Sequence, residues 1–204
     1  MKQLLLTLFL CLTLWTGKAS AEPSDVFHNP TAGFTVTKPP AWHYATAAQH
    51  VANLRAMKLN DQAFHTAMLR YATAPLLALQ KFPEPFADVN PSFKVNLKPL
   101  GQLKGKRPTE LLTLLLPQLQ RAFSEVQVVQ LPMEVEVAQI PSAYARLNYS
   151  LRTHTGETFP TTSEVWIVPR GEYFFLLGAG TRQDEKTGMR AEIHAIVDSI
   201  KIEQ

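Results

Sequence analysis

The C-terminal half of the chain is dominated by a period-two pattern of apolar and polar residues. Over residues 143–152 every second side chain is small, apolar or aromatic, which is typical of a β-strand because successive side chains point to opposite faces. The segments 161–168 and 172–180 predict two further strands, since both are rich in β-branched and aromatic residues. Turns at 155–157 and 170–171 would join the three strands into an antiparallel meander.

The two turns determine which residues face each other, and a slip of one residue would move every side chain to the other face. A two-residue second turn pairs Val168 with Tyr173, and a three-residue first turn pairs Leu147 with Val165. Both faces are then largely apolar near the middle, whereas an antiparallel sheet open to water is polar on one face. The pattern therefore predicts that helices cover the sheet on both sides.

Helical spacing of apolar residues marks three other segments. Residues 44–58 carry one apolar stripe, and residues 183–198 carry another. A helix between them begins near Pro108, a residue that suits a first helical turn. Pro117 should kink or interrupt this helix, because proline removes one backbone hydrogen bond and crowds the preceding turn.

The N-terminal part predicts a short hairpin that ends abruptly. Residues 26–29 and 33–38 are expected to be strands joined by a turn. The prolines at 39–40 cannot donate backbone hydrogen bonds, so strand pairing must stop there. Trp42 follows, and we expect it to fold over the sheet edge as a hydrophobic plug.

Two more strands are expected at 66–73 and 92–97. The segment 74–91 between them is rich in proline and reads as an irregular surface excursion. Its Phe82 and Phe86 lie among prolines and acidic residues, which makes the segment a candidate docking surface for a protein partner. The alternative is a packed loop.

Together these elements predict an α+β fold, a three-layer α/β/α sandwich around a mainly antiparallel β-sheet. The sequence contains no internal repeat and no long linker. We therefore expect residues 22–204 to form a single domain.

The first 21 residues have the layout of a secretory signal peptide. Lys2 provides the positive start, the apolar run LLLTLFLCLTLW follows, and residues 19–21 form a small-x-small cleavage site. Cleavage near Ala21 would release the mature chain into the periplasm or outside the cell. The alternative is an uncleaved anchor helix, although the apolar run is short for a bilayer span of about 20 residues.

Removal of this segment would change both the thiol content and the charge of the chain. Cys11 is the only cysteine, so the mature protein would have neither a disulfide nor a thiol. Loss of Lys2 and Lys18 leaves 18 basic against 17 acidic residues, a net charge of +1 in place of +3. Such a balance gives no electrostatic preference for nucleic acid, and we expect none as a partner.

Sequence motifs of covalent catalysis and of phosphate binding are missing. There is no G-x-S-x-G turn, and the GAG at 178–180 is not followed by the G-K-S/T of a phosphate loop. We interpret these glycines as relief for close packing within a strand. The six histidines show no H-x₃-H or H-E-x-x-H spacing. The sequence therefore predicts no enzyme activity, no cofactor and no metal ion.

A polar group near the middle of the predicted sheet is the main candidate site. The expected register places Asn148 opposite Glu164, with Arg146 diagonal to Glu164 and within reach of a charge-assisted hydrogen bond. Beside Trp166 and Tyr144, these residues could line a polar pocket where the sheet emerges from its helical cover. The alternative, which the sequence favours, is a structural ion pair beneath that cover.

Three stretches are distinctive enough to compare with known families: HNPTAGFTVTKPPAW at 28–42, SEVWIVPRGEYFFLLGAG at 163–180, and IVDSIKI at 196–202. The first resembles the opening hairpin of PsbP-like domains, and the other two are similar to their closing hairpin, helix and tail. DcrB-like proteins of the bacterial envelope are related to this family. The segment 74–91 is an insertion relative to the family pattern.

The resemblance implies an α/β/α sandwich and a class in which non-catalytic roles predominate. Its members include an extrinsic subunit of photosystem II, assembly factors of thylakoid lumens and a nuclear protein that binds a small GTPase. The family has no shared catalytic motif, so the resemblance transfers no catalytic residue to this chain.

The sequence leaves two functions open. In the first, the protein is an exported, non-catalytic binding or assembly protein of the bacterial envelope, a monomer with no transmembrane segment after processing, which contacts an unidentified protein partner. Phe82 and Phe86 are its candidate contacts. In the second, a small-ligand or metal-binding carrier, or an enzyme, uses the pocket near Arg146, Glu164 and Trp166. A cluster of titratable residues would favour the second function, and the sequence pattern does not predict one.

Overall fold

The computed structural model describes residues 25–70, 74–153 and 155–203. The predicted signal peptide, residues 1–21, lies outside the described residues. The strands are β1 (Val26–Asn29), β2 (Phe34–Thr37), β3 (His43–Tyr44), β4 (Met57–Lys58), β5 (Leu77–Gln80), β6 (Ser92–Pro99), β7 (Ser124–Val137), β8 (Ile140–Thr153), β9 (Thr158–Arg170), β10 (Tyr173–Arg182) and β11 (Lys201–Ile202). The α-helices are α1 (Ala47–Ala56), α2 (Gln62–Arg70), α3 (Pro108–Ala122) and α4 (Arg190–Asp198).

The strands form one large and one small sheet, and the pairings described in both are antiparallel. The large sheet has the order β3–β5–β6–β10–β9–β8–β4, and β7 also pairs with β8. The small sheet has the order β1–β2–β11. Strands β7 to β10 are consecutive in the chain and neighbours in the sheet, so local hairpins build this half of the molecule.

The large sheet buries a hydrophobic cluster on each of its faces. On one face, β9 and β10 pack against α4 and the small sheet, with fully buried Phe34, Val36, Val168, Phe175, Leu177, Ile193 and Ile196. On the other face, β8 and β9 pack against α3, with buried Leu111, Leu112, Leu116, Ala143, Ala145, Leu147, Val165 and Ile167. The predicted α+β fold, a three-layer α/β/α sandwich, is confirmed, and the small sheet joins α4 in one outer layer.

The N-terminal hairpin ends where its prolines predict. Strand β2 stops at Thr37, two residues before Pro39, and the Trp42 amide then donates to the Pro39 carbonyl at 2.9 Å. The Trp42 side chain is 1 % exposed and belongs to the cluster beneath α4. Its indole Nε1 donates to Glu192 Oε2 of α4 at 2.7 Å. Trp42 therefore fills the core between the hairpin and α4, with its one polar atom satisfied.

Two helices lie close to their predicted positions. Helix α1 falls within the predicted range 44–58 and begins with a capping box, in which Thr46 and Gln49 exchange hydrogen bonds. Helix α3 begins at Pro108 as predicted and continues through Pro117 without interruption. Pro117 is exposed, so water can satisfy the carbonyl that its missing N–H leaves free.

Helix α4 is shorter at its start than predicted. Residues 183–189 do not join the helix, which begins at Arg190. Asp184 holds this segment in a turn, because its side chain accepts hydrogen bonds from Thr187 and its carbonyl accepts one from the Gly188 amide. Local side-chain bonding of this kind competes with helix formation.

The predicted strand at 66–73 is wrong, because helix α2 occupies the described part of this segment. Residues 71–73 lie outside the described residues. His65 of α2 places its Nε2 atom 2.8 Å from the carbonyl oxygen of Leu54 in α1. Contact between the two helices decides a conformation that a short apolar pattern leaves ambiguous.

The sequence suggested that segment 74–91 is one continuous surface excursion, but the structure divides it into a strand and a loop. Its residues 77–80 form β5, whose four side chains are all buried, and β5 pairs with β3 on one side and β6 on the other. Only residues 81–91, here called the 81–91 loop, connect β5 to β6. The loop is closed at its base by a hydrogen bond from the Lys81 amide to the Pro91 carbonyl at 2.9 Å.

The sequence pattern does not predict β7, although this strand is 14 residues long. Its register against β8 shifts between Ser124 and Gln127, between Val128 and Gln130, and between Gln130 and Met133. Each shift places extra residues in β7 and so breaks the alternation by which a strand is recognised.

The turn between β9 and β10 lies one residue later than predicted. Val168 pairs with Phe175, not with Tyr173, so the two central turn residues are Gly171 and Glu172. Gly171 has a positive φ of 57°, which favoured two-residue hairpin turns require and glycine adopts freely. Because the register differs by two residues, each side chain keeps its predicted face.

The turn between β7 and β8 carries backbone strain that substitution should relieve. Ala138 and Gln139 have φ of 51° and 63°, a left-handed conformation that costs roughly 1–2 kcal/mol for a residue with a Cβ. We expect Gln139→Gly to raise the free energy of unfolding, measured in urea, by about 0.5–1 kcal/mol. Gln127→Gly at an exposed position of β7 is the control and should lower it by about 0.5–1 kcal/mol. A loss of stability in both variants would contradict the strain argument.

Candidate functional site

Glu164 of β9 is a buried carboxylate surrounded by hydrogen-bond donors. Its side chain is 1 % exposed, and the Tyr144 hydroxyl of β8 donates to Oε1 at 2.6 Å. Arg190 of α4 donates Nε and Nη2 to the same oxygen at 3.0 and 2.8 Å. His194 Nε2, also from α4, lies 3.2 Å from both carboxylate oxygens. The carboxylate therefore fastens α4 to the sheet.

These contacts keep the Glu164 carboxylate ionised. Burial acts to raise the pKa of Glu164, but the hydrogen bonds from Tyr144, Arg190 and His194 outweigh it, so this pKa lies below its usual value. Burial and the bond to Glu164 raise the pKa of Tyr144 to about 12. Tyr144 thus remains a neutral donor, and the carboxylate accepts bonds from three side chains. This arrangement suits a structural ion pair better than a general base.

Trp166 closes the space beside Glu164. Its ring lies 5.1 Å from the Tyr144 ring and 5.8 Å from the His194 ring, between centroids. Trp166 is 4 % exposed and belongs to the hydrophobic cluster beneath α4. The predicted set of Glu164 and Trp166 does come together on one sheet face, but under the helix.

Arg146 and Asn148 occupy positions that differ from the prediction. Arg146 lies directly opposite Glu164, and Asn148 lies opposite Thr162, so the predicted pairing of Asn148 with Glu164 is wrong. The turn between β8 and β9 lies one residue earlier than predicted, because the Thr153 amide donates to the Glu157 carbonyl at 3.0 Å and these two residues close it. The register again differs by two residues, which leaves both side chains on the expected face.

Arg146 does not use the carboxylate that it faces. Glu164 accepts hydrogen bonds from Tyr144, Arg190 and His194, as described above. The Nε atom of Arg146 is buried and has no hydrogen-bond partner among the described residues. Arg146 and Asn148 are both partly buried.

The 81–91 loop presents two stacked aromatic rings. The rings of Phe82 and Phe86 lie 4.5 Å apart, with 16° between their planes, and Phe86 is 36 % exposed. Asn90 clamps the first of them, accepting from the Phe82 amide at 3.0 Å and donating to its carbonyl at 2.8 Å. Glu84 accepts from the Phe86 amide at 2.9 Å and from Asn90 Nδ2 at 3.0 Å. The loop's own polar groups thus fix the geometry of the stack.

Charged pairs anchor the loop to the rest of the fold at its two ends. Lys81 Nζ lies 2.6 Å from Glu192 Oε2 of α4, the same oxygen that accepts the Trp42 indole N–H. At the other end, Arg182 Nε of β10 lies 2.9 Å from Asp88 Oδ1. Helix α4 therefore contacts the loop through Glu192 and the sheet-face cluster through Arg190 and His194.

The sequence pattern did not connect Arg190 or His194 with Glu164, and it identified Tyr144 only as a neighbour of the pocket. A usable signal was present, because Arg190 and His194 are four residues apart and so share one helix face. Tyr144 and Arg146 are two residues apart on a strand and so share one sheet face.

We find no group of three His, Cys, Asp or Glu side chains placed to bind a metal ion within residues 25–70, 74–153 and 155–203. Over the same ranges, no helix has the length and apolar character that a membrane crossing requires.

No protein-family model matches the sequence, and no curated protein matches it. Solved structures do match. LpqN of Mycobacterium tuberculosis is 12 % identical, with a TM-score of 0.51 over 91 % of this chain and 88 % of LpqN. Cyanobacterial PsbP (CyanoP) of Synechocystis is 8 % identical, with a TM-score of 0.47 over 90 % of this chain and 96 % of CyanoP. A Bacteroides thetaiotaomicron structure is 13 % identical with a TM-score of 0.47 over 89 % of this chain, which spans only 49 % of that protein.

The fold and the site thus define an α+β sandwich whose buried carboxylate ties a helix to the sheet. LpqN shares this fold. The α/β/α sandwich that the PsbP-like resemblance of the motifs at 28–42 and 163–180 implies is the fold of this chain, with a hydrophobic cluster on each face of the large sheet. A fold hosts many functions, so the likeness assigns no activity.

Proposed function

We propose that this chain is an exported, non-catalytic binding or accessory protein that contacts a protein partner through the 81–91 loop. The observation that carries the proposal is the stacked pair of Phe82 and Phe86, fixed by the loop's own hydrogen bonds. Aromatic anchors dominate the binding energy of protein interfaces, and a rigid loop loses little entropy on binding.

The surroundings of the stack resemble those of an interface anchor. Residues 83, 85 and 87 are apolar and exposed, like Phe86 itself, so the tip presents a compact apolar surface. Of the charged side chains around it, Lys81 and Asp88 are already paired within the protein. The Glu84 carboxylate has no ion pair within the described part of the chain, but it accepts hydrogen bonds from Gln80, Asn90 and the Phe86 amide. A partner that covers the tip would therefore bury apolar area without stripping these charges of their counter-ions.

A non-catalytic role agrees with the state of the titratable groups near the sheet face. Glu164 is engaged by Tyr144, Arg190 and His194, and the raised pKa of Tyr144 keeps its hydroxyl protonated at neutral pH. An acid or base in catalysis needs a pKa near the working pH and access to substrate. Neither Glu164 nor Tyr144 has a pKa near neutral pH. Glu164 is also buried, so a substrate could not reach it.

A second candidate function, a small-ligand carrier, is favoured by two observations. The structure gathers a cluster of titratable residues that the sequence pattern did not predict, namely Tyr144, Glu164, Arg190 and His194. Arg146 has a buried Nε without a hydrogen-bond partner among the described residues, and such an atom is costly unless something pairs with it. A ligand reaching Arg146 and Asn148 would have to approach beside α4, because Glu164 and Trp166 are closed to solvent.

The predicted signal peptide supports a location in the periplasm or outside the cell. LpqN, which shares the fold, is involved in cell envelope biogenesis, and an envelope partner fits the same setting. We expect the protein to act as a monomer.

The docking proposal can be tested with a photo-reactive residue placed at position 86 of the full chain in intact cells. Deletion of the whole 74–91 segment is unsuitable, because it would remove the buried strand β5. We expect one protein to be cross-linked reproducibly from position 86. Position 114 is the matched control, since Leu114 is also apolar and is 51 % exposed on α3. The same products from both positions, or none from position 86, would overturn the proposal.

A further inference from the structure

The face of the sheet opposite α4 carries a lysine in an unusual setting. Phe93 and Val95 of β6 are fully buried in the cluster beneath α4, so Lys94 between them points to the other face. There Lys94 lies opposite Gly178 of β10 on one side and opposite Ala78 of β5 on the other. Neither neighbour has a side chain that extends beyond Cβ, so Lys94 lies between two small residues of the sheet, and Ala78 is buried.

The glycine beside Lys94 leaves open space. A Cβ built on Gly178 would meet no other atom within 4 Å. The interpretation of the GAG stretch as relief for close packing is therefore wrong at this position. Two residues further on, a Cβ on Gly180 would lie 3.7 Å from Ser92 Oγ and 3.9 Å from Ser163 Oγ. The floor around the space thus combines bare backbone with hydroxyl groups.

Lys94 has no counter-ion among the described residues. Lys38, Lys81 and Lys104 each pair with a carboxylate at 2.6–2.9 Å, whereas the described ion pairs and hydrogen bonds do not include Lys94. Burial lowers the pKa of Lys94, which indicates an ammonium that is poorly hydrated and uncompensated.

A second group with an unfilled hydrogen-bonding position lies nearby. His50 of α1 has a buried Nδ1 atom with no hydrogen-bond partner among the described residues. Burial and the charge of Lys94 lower the pKa of His50, so its ring is neutral at neutral pH and can donate one N–H. The Lys94 ammonium is a donor, and neutral His50 donates from Nδ1 in the tautomer that carries its proton there, so an anion could accept from both groups.

We propose that Lys94, His50 and the open space over Gly178 form a binding site for an anionic group, a carboxylate or a phosphate. The Lys94 ammonium forms the ion pair and His50 Nδ1–H donates a hydrogen bond. Gly178 lets the ligand approach the backbone of β10. The site is separate from the 81–91 loop, so a negative result for either proposal leaves the other unaffected.

The two sources of such a group can be separated by titration. The mature chain, labelled with ¹⁵N, is titrated with inorganic phosphate and separately with succinate at constant ionic strength. We expect saturable shifts centred on the amides of Lys94 and Gly178 with at least one anion. Shifts with phosphate alone identify a phosphate site, and shifts with succinate alone identify a carboxylate site. Saturable binding of both anions supports a site that accepts either a carboxylate or a phosphate. Absence of saturable shifts with both anions would overturn the proposal.

Two variants and a control make the test specific. Lys94→Gln should weaken binding at least about tenfold, because it removes the only charge in the site. Gly178→Val should abolish binding by filling the space, and valine is favourable in a strand, so the fold should be retained. Lys98→Gln, on the same strand and face, should change the affinity less than about twofold, as expected for a charge outside the site. Equal losses in Lys94→Gln and Lys98→Gln would show general charge attraction and refute the assigned site.

Discussion

Trp42→Ala is expected to lower the free energy of unfolding by about 3–5 kcal/mol, the range for removing a large buried aromatic side chain. Trp42 is 1 % exposed and fills the core between the N-terminal hairpin and α4. It also donates its indole N–H to Glu192, which Lys81 contacts as well. The loss therefore combines an empty cavity with a weakened anchor of the 81–91 loop. Urea denaturation followed by far-UV circular dichroism measures it.

Trp42→Phe separates the two contributions. The phenyl ring keeps most of the packing but cannot donate to Glu192, so we expect a smaller loss of about 1–2 kcal/mol. If Trp42→Ala cost less than about 1 kcal/mol, the indole would not be the core element described here. Equal losses in the two variants would assign the whole effect to the hydrogen bond.

Glu164→Ala should destabilise the protein by about 3 kcal/mol, within the range for breaking a buried pair by removing one partner. The substitution leaves Tyr144, Arg190 and His194 without their shared acceptor and opens a cavity under α4. Arg190 is partly exposed and can turn to water, which limits the cost. Glu185→Ala, at an exposed position, is the control and should change stability by less than about 0.5 kcal/mol.

The same variant distinguishes the structural from the binding interpretation of the sheet-face group. A clear loss of stability supports the structural ion pair. A fully stable Glu164→Ala protein would contradict it and would direct attention to Glu164 and Arg146 as ligand contacts.

The pH dependence gives an independent check on Glu164. Its folded-state pKa is lowered, so the ionised carboxylate stabilises the fold fully above its unfolded pKa of about 4.3. This contribution is lost as the pH falls through the folded-state pKa. The stability difference between wild type and Glu164→Gln should therefore be constant at neutral pH and shrink on acidification below about 4. A difference that grows on acidification would contradict the assignment.

The layered architecture could be predicted from the sequence because the strongest sequence patterns are local. Alternation along β8, β9 and β10 reveals both faces of the sheet, and apolar faces on both sides require two covering layers. The alternation does not identify β7, since register shifts at Gln130 and Met133 disturb it. The segment of α2 was predicted as a strand. Its helical conformation depends on packing against α1, and a window of nine residues does not contain that information.

The candidate site was predicted in part, for a similar reason. The faces of Arg146, Glu164 and Trp166 follow from strand parity alone. The register between the strands depends on turn geometry. Each of the two turns lies one residue away from its predicted position, and this shifts the strand pairing by two residues. The partners Arg190 and His194 lie 26 and 30 residues from Glu164, and only the packing of α4 brings them to it.

Contact between the stacked tip of the 81–91 loop and a protein partner can be tested through the affinity of the partner that is cross-linked from position 86. Its dissociation constant would be measured by calorimetry for the wild type, Phe86→Ala and Leu114→Ala. We expect Phe86→Ala to weaken binding by about 30-fold or more, as for an interface hot spot, and Leu114→Ala to change it less than about twofold. Equal affinity of wild type and Phe86→Ala for that partner would contradict the claim.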